Sequence, residues 1–147
     1  MRRSNVEYPL HDWWAANISG SRGLFEVFGG RPANLDAAVC NAIRFDPFPS
    51  SAFLEIELAD FPDEPPPRWV SNEYDTVALK IQMTGCHDLS ASGTLEPCSI
   101  TITPSTEGNY TVLASDNFNF SFAAKYSLIS TMRAIKSSRT NGQFEIG

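Results

Sequence analysis

The chain has 147 residues, the usual length of one globular domain, and its ten Phe and four Tyr are more apolar anchors than a disordered chain carries. Its formal net charge of −6 argues against a nucleic-acid partner, because proteins that bind nucleic acids present a basic face to the phosphates. Two His in the whole chain leave little material for a metal centre or for imidazole catalysis.

The first predicted element is a short helix within residues 20–30. Apolar side chains recur there at helical spacing, Ser21 is suited to cap the start, and a pair of glycines ends the segment. Before this helix, Trp13 and Trp14 are adjacent, so they cannot both point into one core from a strand.

From residue 37 onward the pattern changes to the period of two that is typical of β-strands. In residues 53–58, Glu55 and Glu57 alternate with apolar residues, which predicts one acidic and one apolar face. The Asp-Glu-Pro-Pro-Pro segment, 63–67, is predicted as a loop that joins neither a helix nor a sheet. Further strands are predicted at 77–83, 89–95, 99–103, 110–114, 118–122 and 128–135.

These elements indicate a β-rich α+β fold. We expect one N-terminal helix to pack on a curved antiparallel meander sheet, which could also close into a two-layer sandwich. A single domain is predicted over residues 1–147, with residues 1–12 as a loose N-terminal arm.

The cysteines and the first residues indicate where the protein works. Cys40, Cys86 and Cys98 are an odd number without metal-ligand spacing, which favours reduced, packed thiols. The basic start is not followed by an apolar secretory segment, and no apolar run is long enough to cross a membrane. We therefore expect a cytoplasmic protein without a membrane partner.

Acidic residues are concentrated in one part of the chain. Residues 36–75 hold nine acids and two bases, a net charge of −7, whereas the rest of the chain carries +1. One interpretation is a solvated strand face followed by a hydrophilic loop. The other is an acidic recognition surface, for which the candidate residues are Asp60, Asp63, Glu64, Trp69, Glu73 and Asp75.

Little in the sequence points to catalysis. The His11-Asp12 and His87-Asp88 pairs lack the further ligands that a metal site needs, and no Gly-x-Ser-x-Gly motif occurs. We predict no catalytic residue, no metal and no cofactor.

The most specific stretch runs from the predicted helix into the first strand. Its matching residues are Phe28, Gly29, Pro32, Asp36, Ala37 and Val39, and Arg31 stands where Trp is usual. This pattern resembles immunity-protein family 50 of bacterial polymorphic toxin systems, and the later strand order is similar over about three-quarters of the chain. By itself, Asp36 is expected to fix the turn before the first strand by accepting backbone N–H bonds.

The resemblance implies an antidote that binds a cognate toxin domain and covers its active cleft. An acidic surface suits a basic, nuclease-like toxin, and Trp13, Trp14 and Trp69 are either exposed anchors of that contact or core residues. The protein itself is expected to be a monomer or a weak dimer. Two alternatives are a β domain that binds a small molecule or a glycan, and a hydrolase that uses a His-Asp pair.

Overall fold

The computed structural model describes residue 8 and residues 10–137, and it confirms a β-rich α+β fold. The rest of the predicted arm and residues 138–147 lie outside the described part, so the predicted limits of the domain stay a prediction. The elements are α1 (Ser21–Val27), β1 (Val39–Pro47), β2 (Ser50–Glu57), α2 (Pro67–Ser71), β3 (Thr76–Thr84), β4 (His87–Gly93), β5 (Ser99–Ser105), β6 (Gly108–Ala114), β7 (Phe118–Ala124) and β8 (Tyr126–Ile135).

The strands form two four-stranded antiparallel sheets, which is the sandwich alternative of the sequence analysis. Sheet A has the order β1-β2-β3-β8 and sheet B the order β4-β7-β6-β5. Each sheet contains a meander of three consecutive strands, β1-β2-β3 in sheet A and β5-β6-β7 in sheet B. The fourth strand of each sheet is reached by a change of sheet, from β3 to β4 and from β7 to β8.

Most of the core comes from the apolar faces of β2, β3, β6 and β7. Alternation along each strand turns every second side chain inward, so the acidic side of β2 stays outside, as predicted. At the edge of sheet A, the Phe45 ring stands perpendicular to the ring of Phe120, with centroids 4.6 Å apart. On these four strands, the large buried side chains are Leu54, Ile56, Val77, Leu79, Ile81, Met83, Leu113, Phe118, Phe120 and Phe122.

Helix α1 begins differently from the prediction and ends as predicted. Gly20, with φ of 90°, is the N-cap, and the Ser21 hydroxyl pairs instead with the hydroxyl of Tyr8 at 2.7 Å. At the end, Gly29 has φ of 74° and its N–H donates to a carbonyl in the last turn, as does the N–H of Gly30. These two bonds form a Schellman motif, which requires the left-handed conformation that glycine adopts at low cost.

Trp13 and Trp14 are both buried, which a strand would not permit. They lie in a turn, and both indole N–H groups donate to the carbonyl of Ala33, at 2.7 and 2.8 Å. One carbonyl oxygen has two lone pairs and can accept both bonds. The two rings therefore fasten the N-terminal segment to the turn after α1.

The prediction that residues 63–67 join no helix is wrong at their last position. Pro67 is the first residue of α2, where its missing N–H costs nothing and its fixed φ suits a helix. This short helix buries Trp69, which is 7% exposed and whose ring packs 6.0 Å from that of Phe61. No helix among the described residues is long and apolar enough to cross a membrane.

Candidate binding surface

An internal ion pair occupies the centre of the predicted acidic surface. Both terminal nitrogens of Arg31 donate to the carboxylate of Asp60, at 2.9 and 3.0 Å, and one also donates to the carbonyl of Phe61 at 3.1 Å. The backbone N–H of Asn34 donates to Asp60 as well, at 3.0 Å. The pair thus joins the turn after α1 to the segment after β2.

The environment of this pair keeps both groups charged. Burial raises the pKa of Asp60, but the hydrogen bonds from Arg31 and from the Asn34 amide outweigh it and leave this pKa below its usual value. The hydrogen bond with Asp60 raises the pKa of Arg31 in turn. The Asp60 side chain is only 13% exposed, so its contacts are mainly within the chain.

Two more of the candidate residues also have internal partners. The prediction that Trp69 is an exposed anchor is wrong, because its side chain lies in the core. The carboxylate of Asp75 accepts from the Thr76 hydroxyl and from the backbone N–H of Ser137, both at 2.8 Å. Asp75 thereby fastens the segment after β8 to the start of β3.

The remaining candidates project into solvent. Asp63 is 84% exposed and lies 3.6 Å from Arg31, and Glu73 is 80% exposed and lies 3.6 Å from Lys136. Glu64 is also exposed. Ion pairs this exposed contribute little to stability, which leaves these carboxylates available to a partner.

The residues of the family motif build the turn after α1. Phe28 is buried and its ring lies under the Arg31 guanidinium at 5.1 Å, Gly29 ends the helix, and Pro32 precedes the carbonyl that binds both tryptophans. The expected role of Asp36 is wrong in its details. The Asn34 side-chain oxygen, not the Asp36 carboxylate, is the turn's acceptor, and it receives the backbone N–H of Asp36 at 3.0 Å.

A groove that the sequence did not reveal lies where the two sheets meet. It has a volume of about 700 Å³, is open to solvent, and is bordered by β1, the end of β2, the start of β5 and the β6–β7 turn. Half of the residues that line it are small and apolar. Among the described residues that line it, Glu57, Glu96 and Asp116 are acidic and none is basic.

Two local features shape this groove. A β-bulge between Cys40 and Ala42 leaves Asn41 without a partner on β2, and Asn41 lines the groove. On the opposite wall, the Glu96 carboxylate accepts from the Ser115 hydroxyl at 2.5 Å and from the backbone and side chain of Asn117. The Ser115 bond, with those from Asn117, lowers the pKa of Glu96, so this rim carries a fixed negative charge.

Among the described residues, neither His11 nor His87 lies in a cluster of carboxylates. His87 lies 3.9 Å from its neighbour Asp88, and both His11 and His87 are exposed. Within residue 8 and residues 10–137, no three His, Cys, Asp or Glu side chains are arranged to hold a metal ion.

Comparison with known families decides the class of the protein. The profile of Immunity protein 50 matches residues 21–134, which extend from the start of α1 into the last strand of the sandwich, β8. The chain belongs to the immunity protein 50 family. The resemblance seen in the sequence is therefore confirmed, and immunity-protein families are generally non-enzymatic. No curated protein and no solved structure gives a significant match.

Proposed function

We propose that this member of the immunity protein 50 family binds a cognate toxin domain in the bacterial cytoplasm and covers its active cleft. The acidic groove between the sheets is the observation that carries this proposal, together with the exposed carboxylates of Asp63, Glu64 and Glu73. We expect it to act as a monomer or a weak dimer, without nucleic acid and without turnover.

The chemistry of the groove suits a basic protein segment. A Lys or Arg side chain has an apolar stem and a charged head, and the groove offers small apolar walls with carboxylates at its rim. Many toxin domains that cleave nucleic acids expose such cations in their clefts. A partner of this kind would be attracted before contact by the net charge of −7 over residues 36–75.

The alternative, a β domain that binds a small molecule or a glycan, is favoured by the size of the groove. Its volume lies within the range of roughly 300–1,000 Å³ that is typical of ligand sites. However, such sites enclose most of their ligand, and this groove is open along its length. Asn41 is exposed on the bulge and lines the groove, so its replacement by Arg would place a cation in the groove without disturbing the core.

Association kinetics with the cognate toxin domain test the proposal. We expect Asn41→Arg, and the triple variant Glu57→Gln, Glu96→Gln and Asp116→Asn, to slow association by roughly tenfold and to weaken its salt dependence. The matched control neutralises three exposed acids elsewhere, Glu26, Asp88 and Glu107.

The control variant should associate at close to the rate of the unmodified protein. Equal slowing by both triple variants would mean that only net charge matters and would remove the groove from the interface. Thermal melting of each variant shows whether the fold is intact, which matters most for Glu96→Gln because Glu96 holds the β6–β7 turn.

A further inference from the structure

Two cysteines from different sheets lie directly opposite each other. Cys40, in β1, donates its backbone N–H to the carbonyl of Cys98 at 2.7 Å, and Cys98, just before β5, returns the bond at 3.2 Å. Both are free thiols with buried side chains. Side chains of directly opposed residues project to the same side of the backbone, so the two thiols are neighbours.

The spacing of this pair is compatible with a disulfide. Opposed residues that exchange both backbone bonds have Cα atoms about 5.5 Å apart, and disulfides span Cα distances of about 4.4–6.8 Å. Cβ atoms of opposed residues that exchange both backbone bonds generally lie farther apart than disulfides prefer, so a disulfide here is expected to be strained and easier to reduce. The third cysteine, Cys86, follows β3 and hydrogen-bonds instead to the carbonyl of Met83, at 3.5 Å.

We propose that Cys40 and Cys98 are a site of reversible disulfide formation, which links sheet A to sheet B when the protein meets a disulfide oxidant such as glutathione disulfide. The Cys98 thiolate attacks the oxidant and releases one glutathione thiolate, and the Cys40 thiolate then displaces the second glutathione from Cys98. Two protons and two electrons leave the protein, and one glutathione disulfide becomes two glutathione thiols.

The order of attack follows from access and burial. Cys98 lines the open groove, whereas Cys40 does not. Burial raises the pKa of Cys98, and burial with the neighbouring Cys98 thiol raises the pKa of Cys40 to about 12. Thiolates are scarce at neutral pH for both residues, so the exchange is slow at neutral pH and becomes faster as the pH rises.

Thiol titration after incubation with glutathione disulfide tests this proposal without any toxin. The unmodified protein should lose two of its three titratable thiols as the Cys40–Cys98 link closes, and non-reducing peptide mapping should find these two residues joined. Oxidation should accelerate with pH and raise the melting temperature by roughly 5–10 °C, because the link closes a long loop. Dithiothreitol should reverse both changes.

Single substitutions provide the controls. Cys86→Ser should keep the disulfide and its thermal shift, whereas Cys98→Ser should lose both. A stable glutathione adduct on Cys98 without ring closure, a link that involves Cys86, or no loss of thiols would each overturn the proposal. Peptide mapping of the unmodified protein decides between these outcomes even if Cys98→Ser does not fold.

Discussion

Replacement of Asp60 by Asn tests the assignment of this residue to the interior of the protein. The isosteric amide keeps the shape of the side chain but removes the negative charge, to which Arg31 donates two hydrogen bonds. Breaking a fully buried ion pair costs about 3–5 kcal/mol, and breaking an exposed pair costs up to about 1 kcal/mol. Asp60 is 13% exposed and Arg31 32%, so an intermediate loss of roughly 2 kcal/mol is expected.

Thermal or urea unfolding measures this loss, which corresponds to a fall in melting temperature of roughly 4–8 °C. Asp63→Asn is the matched control, since it removes a charge from the same Arg31 but at a position that is 84% exposed. It should change the free energy of unfolding by less than about 0.5 kcal/mol. Equal stability of the Asp60 and Asp63 variants would refute the reasoning.

The dependence on pH provides a second check on Asp60. The folded protein lowers the pKa of this carboxyl, so the ionised group stabilises the fold above its unfolded-state pKa of about 4. That contribution is lost as the pH falls through the lower folded-state value. The stability difference between the unmodified protein and Asp60→Asn should therefore shrink in acid, and a difference that stays constant there would contradict the account.

Three further expectations concern other positions. Gly29→Ala should cost about 1 kcal/mol of stability, because its φ is positive but no atom lies near the new Cβ. Gly108→Ala should prevent the native turn, because the new Cβ would lie 2.0 Å from a carbonyl oxygen. Asp75→Ala should destabilise the protein by about 1–2 kcal/mol in urea unfolding, since it removes the acceptor of a backbone N–H beyond β8. Joint replacement of His11 and His87 by Gln should leave toxin protection in cells unchanged, and lost protection by a folded variant would argue against a pure binding role.

The strands were predictable from the sequence where one face is buried and the other is exposed to solvent. Strand β2 shows this clearly, because Glu55 and its neighbours alternate with core residues. Strand β4 is exposed throughout, and the prediction placed it two residues too late, over 89–95 instead of His87–Gly93. Helix α2 is not predicted when Pro67 is read as a helix breaker, although proline is favoured in the first position of a helix.

The candidate binding surface was predictable only in part. Local charge density identified Asp63, Glu64 and Glu73, which are exposed, but it could not separate them from Asp60, whose partner Arg31 lies far away in the sequence. The groove could not be found from local patterns at all. Its residues come from four distant segments that meet only when the two sheets stack.

The central claim is that the chain blocks a toxin by binding it, and a titration of the toxin's activity tests this most directly. Purified cognate toxin domain would be assayed with increasing amounts of this protein. We expect activity to fall to zero at one equivalent, with a slower onset at high salt, because the attraction between charged surfaces is screened over about 8 Å at physiological ionic strength. Full toxin activity at a large excess of folded protein would contradict the account.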